Sequence, residues 1–270
     1  MQKLPAKTGW IWVKEGFALF RKQPAEISTL FLAYMFLMLA LGILPVIGQV
    51  LPLILVPVFA MAFMQACAQI EQGQRVYPTL LMIAFRSPVL KTLLKLGLLY
   101  VLAAMIAVGA SSLVDGGVFW RAMTGPGLDP TQIAGSNLQL AMIMAGVIYI
   151  PAAMTFWYAA PLIMWQNMTL GKALFYSFFA VRRAGAAFVL YGLAWSGLGV
   201  VVPMVISLIV GLLIGNATIM MFILLPISII LTVVMYCSFY PTYTHVFGKP
   251  YGSANGVTPA FGSDSDDTTR

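Results

Sequence analysis

Residues 27–70 read ISTLFLAYMFLMLALGILPVIGQVLPLILVPVFAMAFMQACAQI, a run of 44 uncharged residues between Glu26 and Glu71. The hydrocarbon core of a bilayer needs about 20 apolar residues per helical crossing, so this run is long enough for two. Leu44-Pro45-Val46-Ile47-Gly48-Gln49 carries the Pro and Gly that a turn requires. The stretch therefore predicts a helical hairpin, with spans at about 27–44 and 50–68. Helices are required because lipid offers no partner to backbone N–H and C=O groups.

The same reading extends outward in both directions. Leu96–Val114 is a third uncharged run, and Leu138–Pro161 is a fourth. Between them lies a polar segment with Gly116-Gly117, Gly125-Pro126-Gly127 and Asp129-Pro130, which marks an irregular loop. From Arg183 to Lys249 no Lys, Arg, Asp or Glu occurs. Gly215-Asn216-Ala217-Thr218 divides that stretch into spans at about 187–214 and 219–240. The expected fold class is an all-α integral membrane protein. Its six transmembrane helices form three hairpins, each preceded by a cytoplasmic interfacial amphipathic helix. Residues 1–26 form the N-terminal amphipathic segment, 27–248 the membrane domain, and 249–270 a disordered cytoplasmic tail rich in Gly, Ser, Thr and Asp. Composition agrees: 61% of the 270 residues are hydrophobic, 9% are charged, and the mean hydropathy is +0.93. An ordinary soluble domain carries about 25% charged residues, and that class is excluded.

Orientation follows from the cations. Fourteen of the fifteen Lys and Arg residues fall before span one, between spans two and three, between spans four and five, or after span six; Arg121 alone lies on the other side. The positive-inside rule then places both termini in the cytoplasm. The net charge of +7 is read as orientation and attraction to anionic headgroups, with no nucleic acid as partner.

Three segments share a local pattern. Phe17-Ala18-Leu19-Phe20-Arg21-Lys22 precedes span one, Met82-Ile83-Ala84-Phe85-Arg86 precedes span three, and Phe178-Phe179-Ala180-Val181-Arg182-Arg183 precedes span five. Either the chain is a threefold parallel repeat, or each segment independently meets the chemistry of the cytoplasmic interface. In the first segment Trp10, Val13, Phe17 and Phe20 recur at helical spacing, with Lys7, Lys14 and Arg21 beside them. Aromatics flanked by cations suit a helix lying among headgroups. Lys14, Arg21, Lys22, Arg86, Lys91, Arg182 and Arg183 are accordingly the candidate contacts to anionic lipid. Membrane lipids are the expected partner, and a membrane-protein neighbour is a further one.

A competing reading is a permease or facilitator for a small or lipid-like solute. Prolines break helical hydrogen bonds, and broken helices often line transport sites. Pro52 and Pro57 interrupt span two, with Gln49 and Gln65 at either end, and these four residues are the candidate solute path. A polar cavity would favour this reading, and a packed bundle the lipid-organising one. No Asp, Glu, Lys, Arg or His lies inside the six spans, which argues against a proton-coupled pump. Paired carboxylates, a His dyad and a metal-ligand set are likewise missing from the sequence pattern, so neither an enzyme nor a cofactor is expected. His245 reads as an interfacial anchor beside Tyr240 and Tyr243, and Cys67 and Cys237 as small packing residues. Small residues four apart, Ala107 with Ser111 and Gly192 with Ser196, predict close helix contacts.

The opening Trp10-Ile-Trp-Val-Lys-Glu-Gly-Phe-Ala-Leu-Phe-Arg-Lys-Gln-Pro24, followed by six charge-free spans, resembles an uncharacterised family of multi-pass inner-membrane proteins of proteobacteria. More loosely, the hairpin pattern is similar to the membrane domain attached to bacterial glycerophosphodiester phosphodiesterases. The catalytic domain of those enzymes has no counterpart here, so their activity is not implied.

Overall fold

A charge-free run buried in hydrocarbon must satisfy its own backbone, and the computed structural model accordingly places these runs in helices. It describes residues 4–44, 48, 50–124, 136–213 and 215–250. The helices are α1 (Thr8–Lys22), α2 (Pro24–Gly42), α3 (Leu51–Glu71), α4 (Leu90–Asp115) and α5 (Val118–Thr124). They continue with α6 (Leu138–Phe156), α7 (Ala159–Gln166), α8 (Leu170–Arg183), α9 (Gly185–Leu213) and α10 (Ala217–Phe247). No strand occurs among the described residues. Six stretches are long and apolar enough to cross a bilayer: Pro24–Gly42, Leu51–Glu71, Leu90–Asp115, Leu138–Gln166, Gly185–Leu213 and Thr218–Phe247. The tail beyond residue 250 and the centre of the 115–137 loop lie outside the described residues.

Local chemistry sets the boundaries. Pro24 takes the first turn of α2, where its missing N–H leaves no helical acceptor wanting. Gln23, just before it, donates from Nε2 to the Gln74 carbonyl at 2.7 Å and accepts the Val76 N–H at 3.1 Å. It thus ties the α3–α4 connection to the α1–α2 junction. Gly116 ends α4 in a left-handed conformation, and the Asp115 carboxylate accepts the N–H groups of Gly117 and Phe119. Asn216 caps α10 by accepting the N–H groups of Thr218 and Ile219.

The core centres on α3, whose Val58, Phe59, Met61, Ala62, Phe63, Ala66, Cys67 and Ile70 are buried. Around it sit α2, α4, α7 and α10. The α4–α6 pair closes through small side chains, Ala107 and Ser111 facing a helix that buries Ala141 and Ala145. The matching expectation on α9 fails. Gly192 and Ser196 are exposed, and a methyl group on Gly192 would meet nothing within 4 Å. The tight approaches occur at Gly9, Gly16 and Gly97. A methyl on Gly97 would run into the Ile54 carbonyl, one on Gly9 into the Ala187 carbonyl, and one on Gly16 would sit 2.6 Å from Ser238 Cβ. α3 and α4 therefore pack backbone to backbone, and α1 packs in the same way on α9 and α10.

The three segments ahead of the odd-numbered spans are not equivalent. α1 and α8 are helices of 15 and 14 residues. Before span three there is only a 3-10 turn, Pro78–Met82. Pro78 opens this turn, and Pro88 lies just beyond it, before α4. Its Val76, Leu81 and Ala84 are buried among α2 and α3, with Phe85 edge-on to Phe59 at 5.5 Å.

Candidate functional site

α1 does more than anchor. Its buried face is Trp12, Val13, Gly16 and Leu19, whereas Trp10 of the expected stripe is 43% exposed. The stripe was displaced because α9 and α10 cover the Gly9–Gly16 side, where backbone approach is closest. Trp12 is fully buried against Phe188 and Tyr191 and donates its indole N–H to His245 Nδ1 at 3.1 Å. That nitrogen must be unprotonated to accept, so Nε2 carries the proton toward Glu15 Oε2 at 3.2 Å. His245 is thus half of a clasp between α1 and α10. Tyr240 supplies a second clasp, donating to Glu71 Oε2 at 2.7 Å, while Lys249 pairs with Glu71 Oε1 at 3.0 Å.

All seven candidate basic residues are exposed. Arg21 and Lys22 end α1, Arg182 and Arg183 end α8, and Arg86 and Lys91 flank the start of α4. Lys14 Nζ sits 5.9 Å from the ring centre of exposed Trp10. Among the described residues none of the seven forms an ion pair, although Lys22 is near enough to Glu71 to act on its carboxylate. Among the described residues no acidic side chain bridges one group to the next. Cations in a final helical turn also complement the helix dipole, which is the structural part of their role.

The proline-rich interior holds a partly open cavity of about 290 Å³. Its walls are mainly aromatic and come from α2, α3, α4, α7 and α10, with Phe59, Phe63, Tyr236 and Trp157 prominent. Phe63 and Tyr236 lie 4.6 Å apart centre to centre, and Tyr34 is edge-on to Phe63 at 5.4 Å. The cavity stands where helices bend or break. Pro57 lies inside α3 and Pro241 inside α10, and Pro161 sits in the first turn of α7, just after the α6–α7 break. Between α6 and α7 the helix is interrupted at Trp157-Tyr158, and the Ser177 hydroxyl fills the gap. It accepts the Tyr158 N–H and donates to the Met154 carbonyl, both at 2.9 Å. Pro241 lacks the N–H that would bond the Cys237 carbonyl, and the Cys67 thiol reaches that carbonyl at 3.9 Å. Cys67 therefore covers the carbonyl that Pro241 frees, and Ser177 bridges the break between α6 and α7.

The candidate solute path is only partly assembled here. Pro57 is buried and its neighbour Val56 lines the cavity. Pro52 sits in the first turn of α3, where it bends nothing. Gln65 accepts the Trp165 N–H at 3.2 Å, and Gln49 lies outside the described residues. Hydropathy along the chain does not announce the aromatic wall. Its signal is the coincidence of Tyr and Trp with Pro inside spans, which one-dimensional hydropathy averages away.

A probable inner membrane protein of Burkholderia thailandensis is 38% identical over 252 residues, covering 91% of this chain and 93% of the relative. The chain belongs to that inner-membrane protein family. It is a multi-pass protein of the bacterial inner membrane, as the six apolar helices require. No family model matches the chain, and no solved structure does.

Proposed function

We propose that this inner-membrane protein is a non-enzymatic organiser of anionic lipid at the cytoplasmic leaflet, with both termini in the cytoplasm. The observation that carries the reading is the set of seven exposed Lys and Arg residues, none of which forms an ion pair among the described residues. A basic residue near an anionic leaflet contributes about 1 kcal/mol, and a guanidinium can grip a phosphate with two parallel hydrogen bonds. α1 supports the reading by being fixed. Gly9, Gly16 and Trp12 lock it to α9 and α10, so Arg21 and Lys22 are presented from a rigid element.

Replacing Arg21, Arg86 and Arg182 together with Gln tests it. Eleven cations of the same side remain, so insertion should survive. Lipid extracted with the purified variant is expected to lose cardiolipin or phosphatidylglycerol. Retention of the wild-type lipid set would reduce the segments to generic anchors. Reporter fusions after Gln72, Gly185 and Gly248 are expected to read cytoplasmic, and one near Gly127 periplasmic; a cytoplasmic signal at Gly127 would overturn the orientation. A facilitator for a lipid-like solute is the second reading, favoured by the cavity beside Pro57. The aromatic walls argue against a polar solute.

A further inference from the structure

We propose that the aromatic cavity among α2, α3, α4, α7 and α10 binds a single unbranched acyl chain. Size is the first argument. An apolar cavity of about half this volume stays dry and accepts benzene, so 290 Å³ has room for roughly twelve carbons of a chain. Left empty, its walls would lose dispersion partners over a large area.

Wall chemistry is the second argument. No charged residue lines the space. Its polar groups are largely engaged: Trp157 donates to Thr242 Oγ1 at 3.3 Å, Tyr158 to the Thr242 carbonyl at 3.0 Å, and Tyr100 to the Phe156 carbonyl at 3.2 Å. A polar solute would have to break these bonds, whereas a methylene chain needs none of them.

The third argument is that the cavity is built. Two helices with interior prolines and the α6–α7 break meet there, and the backbone groups left by the break and by Pro241 are satisfied by Ser177 and Cys67, neither of which lines the cavity. The bends therefore persist without a ligand to hold them. The cavity is partly open and set among apolar spans, where the surrounding medium is itself made of acyl chains. This inference stands independently of the basic segments.

The chain could belong to a phospholipid or to a free fatty acid, and the experiment separates the two. Full-length protein in phosphatidylglycerol–phosphatidylethanolamine vesicles is photolabelled in two arms. One arm uses phosphatidylglycerol with a mid-chain diazirine, the other palmitic acid with the same group. Adducts are mapped by mass spectrometry. Labelling of Phe59, Phe63, Trp157 or Tyr236 is expected at about tenfold the level on lipid-facing Phe222, equivalent to about 1.4 kcal/mol of preference. The arm that gives it identifies the source. Ala60→Phe, which fills the cavity, is expected to abolish the enrichment, and Leu225→Phe on the exposed part of α10 to leave it unchanged. Labelling at the cavity no denser than at Phe222, or unaltered by Ala60→Phe in folded protein, would overturn the proposal. Should Ala60→Phe not fold, competition on wild type decides: saturable loss of the adducts with excess unlabelled palmitate or phosphatidylglycerol supports the site, and unsaturable labelling refutes it. Loss of anionic lipid from the triple Arg variant would leave this result untouched.

Discussion

The two halves of α10 behave differently, and the more apolar one is the less packed. In the first half Met221, Phe222 and Leu225 are exposed, Phe222 at 77%. In the second, Val233, Val234, Cys237, Ser238, Tyr240, Thr242 and Tyr243 are buried. Like the first, outer half, its hairpin neighbour α9 is largely exposed from Val200 to Leu213, apart from positions such as Val210. The inner half meets α1, α3 and α9. In a bilayer, transfer from lipid to protein changes little for an apolar side chain, so hydrophobicity does not select the packed half. What selects it is small residues that admit a neighbouring backbone and polar handles that find partners. Ser238 receives Gly16 and bonds the Tyr191 hydroxyl at 2.6 Å, and the Thr242 carbonyl and hydroxyl take the Tyr158 and Trp157 protons.

That contrast is open to breaking. Gly16→Leu and Gly97→Leu should each destabilise the fold by about 3 kcal/mol, since the added side chain meets Ser238 or the Ile54 backbone and cannot be absorbed. Gly192→Leu, on an open face, should change stability by less than about 0.5 kcal/mol. Denaturation of the purified protein in detergent reads both, and equal costs would erase the distinction between the faces. Ser177→Ala should cost about 2 kcal/mol by stranding the Tyr158 N–H and the Met154 carbonyl. A neutral result would mean that the α6–α7 break needs no hydroxyl.

Trp12→Phe keeps the aromatic packing and removes the proton donated to His245, at an expected cost of about 1 kcal/mol. A double-mutant cycle with His245→Phe isolates the pair, and zero coupling would show that the clasp is packing alone. The smallest effect belongs to Phe222→Ala, expected to cost under about 0.5 kcal/mol because lipid covers that position whether the bundle is packed or open. A loss of 2 kcal/mol or more would mean that protein covers the outer half of α10.

Span number and order were legible in the charge spacing, because solvent dictates them. A charged side chain at membrane depth is expensive, so its absence over residues 27–70 implies two crossings before any contact is known. Pro24, Gly116 and Asn216 likewise announce boundaries through interactions with residues at most a few positions away. The exposure of Arg21, Arg86 and Arg182 follows from their charge alone.

Tertiary structure decided the rest. Periodicity put Trp10 in the apolar stripe of α1, yet the face used is the one whose glycines let α9 and α10 approach. The partners that hold the bends come from far along the chain: Cys67 for the Cys237 carbonyl, Ser177 for the Tyr158 N–H, Trp12 for His245. The cavity arises where those bends meet, and no local pattern records such a meeting. Hydropathy reports each residue's exchange with a single solvent. In lipid that exchange is nearly the same on every face of a helix, so which face meets protein is settled by steric fit and by hydrogen bonds between segments the sequence keeps apart.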